Sequence, residues 1–232
     1  MERMNARCAH AAGLLAALPV FAWLAARVAG NAAIGFDAPF RAFVHQHASP
    51  GLTALMRFMS RLGEPLSLVT LGAGVLLALL AAHRKRAALR FAITMTGAFV
   101  LDTALKLAFH RARPAPFFGT ELPHSYGFPS GHALFSVCFF GVVAALVAAQ
   151  LRSNAALVAA RLPSVAARAA VWTAALAIVF LIGLSRVYLG VHYPSDVIGG
   201  YAAAVAWASA VALADGMLPG SPATKRAPGV LV

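Results

Sequence analysis

Charge is what this 232-residue chain has least of. Asp, Glu, Lys and Arg together make up 11% of it, against about 25% in an ordinary soluble chain. So few charges cannot cover the surface of a water-soluble globule of this size, which excludes a soluble enzyme. Disorder is excluded by the opposite measure: 61% of the residues are hydrophobic, and disordered chains need low hydrophobicity. Acidic residues are scarcest, 7 against 19 Lys+Arg, and no Asp/Glu cluster exists to hold a divalent cation. The two cysteines, Cys8 and Cys138, show no CxxC spacing and cannot form a metal framework. They read as free thiols. Alternating polarity is missing too, which argues against a membrane barrel, and no internal repeat or low-complexity linker interrupts the chain.

What remains is a polytopic membrane protein of the all-α class, a six-transmembrane-helix bundle read as one domain over residues 1–232. A span needs about 20 mostly apolar residues. Segments 11–29, 66–82, 91–109, 132–150, 169–188 and 196–214 qualify, all rich in Ala, Leu, Val and Phe. The first also resembles a secretory signal, with Arg3 and Arg7 ahead of it. Its apolar run exceeds the usual 7–15-residue signal core, so a retained helix is expected.

The basic residues sit in short gaps between apolar runs, the pattern of loops facing anionic lipid and not of a nucleic-acid surface. Arg3, Arg7, Arg84, Lys85, Arg86, Arg90, Arg152, Arg161, Arg168, Lys225 and Arg226 fall on one side; Arg41, Arg57, Arg61, Arg111, Arg113 and Arg186 fall on the other. The richer side is the cytoplasmic one. Both termini are therefore expected in the cytoplasm, and the loops at 30–65, 110–131 and 189–195 outside. Within 36–62, apolar residues recur at helical spacing with arginines between them. They read as two short amphipathic helices, either lying in the headgroup plane or packed over the bundle. The proline-rich tail after Asp215 is expected to fray.

Three polar clusters interrupt the apolar chain, all on the outer side. They are Lys106 to Pro114; Pro129-Ser130-Gly131-His132; and Ser185-Arg186 with His192 and Asp196. Lys106, Arg113 and Arg186 place three cations near a low-dielectric region where carboxylates are scarce, so an anionic ligand is the natural partner. Arginine forks suit phosphate oxygens. Ser130, Gly131 and His132 open a helix whose free N–H groups and dipole favour an anion. If a helix begins near Pro194, Asp196 can bond the Nδ1–H of His192 and leave Nε2 free as a nucleophile. His132 then remains as proton donor to a leaving oxygen. Singly, each cluster has a plain explanation as a turn, an interfacial histidine or a snorkelling arginine.

Together the clusters resemble the type 2 phosphatidic acid phosphatase (PAP2) superfamily, which includes bacterial lipid phosphatases, glucose-6-phosphatase and the vanadium haloperoxidases. Its motifs are a Lys, six residues and Arg-Pro; Pro-Ser-Gly-His; and Ser-Arg, five residues, His, three residues, Asp. Lys106/Arg113-Pro114, Pro129 to His132, and Ser185-Arg186/His192/Asp196 match them without departure. The resemblance implies a PAP2/haloperoxidase-like core in which His192 forms a phosphohistidine, oriented by Asp196. His132 would protonate the leaving alkoxide, and Lys106, Arg113, Ser130, Gly131 and Arg186 would hold the phosphate oxygens. It implies no metal and no other cofactor, and a lipid phosphate at the outer face of a bacterial-type inner membrane. Undecaprenyl diphosphate, phosphatidylglycerophosphate and phosphatidic acid are the candidate substrates. A phosphotransferase on the same fold is the nearest rival. A transporter would need charges near the bilayer midplane, often in repeated halves, and these charges lie at helix ends.

Outside the motifs, Glu121, His124 and Tyr126 in the 115–128 loop are expected to shape headgroup choice. Asp102 stands four residues before Lys106, roughly 18 Å up its helix from Arg90 at about 1.5 Å per residue. An acid one turn before a base is the favourable order for a helical pair. Either it aims the Lys106 ammonium at the phosphate, or it bonds a neighbouring helix for packing alone.

Overall fold

The computed structural model describes residues 2–153 and 164–217. Among these, every regular element is a helix: α1 (Glu2–Ala29), α2 (Asp37–Gln46), α3 (Pro50–Leu62), α4 (Pro65–Ala81), α5 (Lys85–Phe109), α6 (Gly131–Ser153), α7 (Ser164–Tyr188) and α8 (Pro194–Met217). The long helices are apolar on nearly every face, as segments surrounded by lipid must be. Most of the tail expected to fray lies outside the described residues.

Among the described residues, five helices are long and apolar enough to cross a membrane: α1, α5, α6, α7 and α8. The expected span at 66–82 is α4, whose 17 residues reach about 26 Å at 1.5 Å per residue, short of a ~30 Å hydrocarbon core. It follows α3 across a 54° bend, and the two count as a sixth span only if taken as one bent unit. Pro65 opens α4 directly after Gly63 and Glu64, and a proline in the first turn fits only a fresh helix start. α1 begins nine residues earlier than the apolar run suggested.

α6 and α8 are central. Each has 44% of its apolar window buried, against 11% for α1 and α7, which turn Leu15, Trp23, Leu176 and Phe180 outward. The core between them gathers Leu134, Cys138, Phe139, Ala203 and Ala204 with Leu68, Phe91 and Ala98 from α4 and α5. Cys138 is buried there and Cys8 is exposed, both unpaired. The α6–α8 crossing is close because position 200 lacks a side chain. A Cβ on Gly200 would stand 2.6 Å from the Ser130 carbonyl oxygen. Ser130 N–H in turn donates to the Asp196 carbonyl at 2.9 Å, which locks the starts of α6 and α8 together.

The two short helices pack over one end of this bundle. Leu52, Met56 and Val44 turn inward onto Tyr188 and Leu189, while Phe40, Phe43, Leu55 and Phe58 remain exposed. They therefore cover the bundle and still present an apolar outer face suited to the headgroup boundary.

Candidate active site

All three polar clusters meet at that end. α5 delivers Lys106 in its last turn, α6 begins at Gly131-His132, α7 delivers Arg186 near its end, and the short link to α8 carries His192. They surround a cavity of about 1050 Å³ whose lining includes Asp102, Lys106, Arg113, Gly131, His132, Arg186 and His192. Glu121, His124 and Tyr126 line it as well, from the 115–128 loop. Ser130 is fully buried beside Gly131. Ser185 is not at the cavity; its hydroxyl donates to the Ile182 carbonyl of its own helix at 2.6 Å.

His192 is held from both sides. Its Nδ1 lies 3.2 Å from Asp196 Oδ2, and its Nε2 lies 2.7 Å from Arg113 Nη1. A guanidinium has no acceptor, so Nε2 must be the accepting nitrogen and Nδ1 must carry the proton toward Asp196. This is the tautomer a nucleophilic Nε2 requires. Burial, with Arg113, Arg186 and Lys106 close by, holds the imidazole well below its ordinary 6.5.

Arg113 is fully committed. Nη1 also donates to the Val191 carbonyl (3.0 Å), Nε to the Ser125 carbonyl (2.7 Å), and Nη2 to Ser125 Oγ and the Tyr126 carbonyl (both 3.1 Å). An anion oxygen arriving at Nη1 would displace His192 Nε2 from this contact. Burial draws the guanidinium below the usual arginine range, against the opposing pull of Asp196 and Asp102.

Lys106 pairs with Asp102 at 2.7 Å, the i,i+4 contact expected from the sequence. Gly131 packs against this pair: a Cβ there would stand 3.0 Å from Asp102 Oδ1 and 3.1 Å from Lys106 Nζ. Arg186 donates from Nη1 to the buried Ser60 hydroxyl of α3. Among the described residues, the buried side-chain atoms without a hydrogen-bond partner are Arg41 Nε, Asp102 Oδ1, Ser130 Oγ, His132 Nε2 and Arg186 Nε. All but the first belong to this site. Native interiors rarely leave such atoms unsatisfied, and a tetrahedral anion offers acceptors to Ser130 and Arg186 together. Its leaving oxygen would suit His132.

Three residues of the assembly escaped the sequence reading. Ser60 holds Arg186, while Arg111 and Asp37 contact Asp196 and its helix start. Asp37 had one available signal, a lone acid in a chain nearly without them. Arg111 looked like any interfacial cation.

The PAP2 superfamily matches residues 87–217, which contain all three clusters. Phosphatidylglycerophosphatase B of Bacillus subtilis is 33% identical over 102 residues, covering 44% of this chain and 45% of that protein. The match thus spans less than half of the Bacillus protein. Undecaprenyl-diphosphatase of Sulfolobus acidocaldarius is 26% identical over 179 residues, 75% of this chain and 76% of that one. The fold superposes on the crystal structure of a transmembrane PAP2-type phosphatidylglycerolphosphate phosphatase from Bacillus subtilis with a TM-score of 0.74. That comparison has 24% identity and covers 89% of this chain and 98% of the other. Aquifex aeolicus LpxE gives 0.54 at 21% identity, over 76% and 94%.

The depressed basicity of His192 has a measurable consequence. A nucleophilic imidazole must be neutral, and its protonation marks the acid limb of kcat/KM. That limb should fall well below pH 6.5 in a pH series on purified protein. A midpoint at or above 6.5 would contradict the placement of His192 among the cations.

Proposed function

The chain belongs to the PAP2 superfamily, and from that premise we propose that it is an integral-membrane phosphate-ester hydrolase acting on lipid phosphates. His192 Nε2 attacks phosphorus while the ester P–O bond breaks and His132 gives its proton to the departing oxygen. Asp196 holds the Nδ1–H throughout. The phosphohistidine is then cleaved by water, whose proton returns to His132. Lys106, Arg113, Arg186, Ser130 and the free N–H groups at the start of α6 around Gly131 hold the phosphoryl oxygens, whose negative charge they offset. These fixed cations occupy the place a divalent ion takes in other phosphatases, and no metal or cofactor is invoked.

The observation that carries the lipid assignment is the surface leading away from the site. The polar cavity continues into a groove of about 410 Å³ between α4 and α5, the two sharing Pro65, Phe99 and Phe135. The groove is walled by Leu68, Val69, Leu76, Phe91 and Met95. A phosphate at His192 can therefore keep its hydrocarbon chain in an apolar channel along the helices. The relatives' names supply phosphatidylglycerophosphate and undecaprenyl diphosphate as candidates, with phosphatidic acid as a third. With the bent α3–α4 pair taken as the sixth span, the charge pattern of the loops supports a bacterial-type inner membrane, cytoplasmic termini and a site on the extracytoplasmic face.

Purified protein should release phosphate from at least one of these three lipids in detergent with excess EDTA, and vanadate should inhibit as a trigonal-bipyramidal mimic of in-line transfer. Hydrolysis confined to water-soluble monoesters would overturn the lipid assignment. Loss of activity in EDTA restored only by Mg²⁺ would overturn the mechanism. Asp102 serves in this scheme to aim Lys106. Asp102→Asn should weaken vanadate inhibition and lower kcat/KM about tenfold while the protein still accumulates. Unchanged kinetics and unchanged vanadate affinity would leave Asp102 with packing alone.

A further inference from the structure

Asp196 orients His192, but Asp196 is itself held. Its Oδ2 accepts from His192 Nδ1 and from the Tyr193 backbone N–H at 2.9 Å. Its Oδ1 accepts from Arg111 Nη1. The same Nη1 reaches Ser195 Oγ at 2.7 Å, and Nη2 reaches Asp37 Oδ2 at 2.9 Å. Asp37 closes the ring from α2: Oδ1 accepts the Ser195 N–H at 2.9 Å and Oδ2 accepts the Ser195 hydroxyl at 2.6 Å. A carboxylate from one helix thus caps the N-terminus of another, where the dipole favours it. Asp37, Ser195 and Asp196 are all buried, at 4%, 0% and 0% exposure. The Arg111 guanidinium also lies 4.5 Å over the Tyr193 ring.

Two buried carboxylates and one arginine make a costly arrangement for mere packing, since apolar residues of similar volume often serve as well. Neither Arg111 nor Asp37 lines the cavity. What the ring controls is which oxygen of Asp196 meets His192. A carboxylate free to turn could offer either oxygen and let the imidazole rotate with it. Arg111 occupies Oδ1, so Oδ2 alone remains for Nδ1–H. The second residue tying α2 here is Arg41, which donates to the Ala115 and Gly190 carbonyls at 2.7 and 3.2 Å. α2 thereby straps the 110–130 loop to the start of α8.

We propose that Arg111 and Asp37 are positioning residues for phosphoryl transfer, fixing the Asp196 carboxylate so that His192 keeps Nε2 aimed at phosphorus. This rests on the lipid-phosphatase reading above. Misplacing a reacting atom by about 1 Å can cost about 10²-fold in rate, whereas the cations that hold phosphate lie outside the ring. Loss of the ring should therefore lower kcat and spare anion binding.

The test compares full-length wild type, Arg111→Gln, Arg111→Lys, Asp37→Asn and the Arg111→Gln/Asp37→Asn double variant in detergent. Readouts are kcat on the hydrolysed lipid and the inhibition constant of inorganic phosphate, with His192→Ala as control. Arg111→Gln should lose about 10- to 100-fold in kcat, with phosphate inhibition within about threefold of wild type. Arg111→Lys should recover part of the loss by keeping a cation on Oδ1. The double variant should be no worse than Arg111→Gln alone, because members of one unit are not additive. Wild-type kcat in the Arg111 and Asp37 variants would overturn the proposal. So would parallel loss of kcat and phosphate affinity, or multiplicative losses in the double variant. If Arg111→Gln does not accumulate, Arg111→Lys decides by the same split between kcat and phosphate inhibition. A wild type that hydrolyses no lipid phosphate would instead overturn the underlying reading and this inference with it.

Discussion

Positive charge in excess of its carboxylate partners, brought into a largely buried pocket at one end of a membrane bundle, governs this structure. Arg186 is 6% exposed and leaves its Nε without a protein partner. Arg113 is held by carbonyl oxygens, the Ser125 hydroxyl and His192 Nε2. Lys106 has Asp102, but Asp102 keeps one oxygen unpartnered. Cations so placed are costly until an anion arrives, and a phosphoryl group matches both the charge and the open donors. Burial together with the same cations draws the His192 imidazole well below its ordinary range, so under the proposed reaction one arrangement serves both phosphate binding and the nucleophile.

The helices exist to hold that arrangement against lipid on one side and water on the other. Close approach of α8 to the start of α6 at Gly200 brings Asp196 and Ser130 into register. The bend between α3 and α4 lets α3 cover the cavity, with Ser60 on Arg186, while α4 and α5 leave an apolar groove open beside it. α2 carries no side chain into the cavity, yet it caps α8 through Asp37. Rigid elements thus fix each group, and the loops between them are tied down by arginines donating to carbonyls.

Much of this was legible in the sequence, for identifiable reasons. Apolar runs near 20 residues announce membrane helices because lipid admits only helices and closed barrels, and alternating polarity, the mark of a barrel, is missing. The Asp102–Lys106 contact follows from helical spacing alone, and His192–Asp196 from a helix start at Pro194. The 17-residue length of α4 was already present in the 66–82 segment; what was not legible was its 54° bend from α3, set where Pro65 opens a new helix. Arg111, Asp37 and Ser60 were hidden for a different reason. Their partners lie 85, 158 and 126 positions away in the chain, and spacing arguments reach only one or two turns. An acid in so acid-poor a chain was the one available hint.

The proposed reaction turns on a covalent bond between His192 Nε2 and phosphorus during turnover. Rapid quenching of purified protein with a lipid substrate carrying labelled phosphate, followed by peptide mapping under alkaline conditions, tests it directly. Transient, acid-labile label on His192, absent in His192→Ala, is the expected result. Label on another residue, or full turnover with no labelled protein at any quench time, would contradict it.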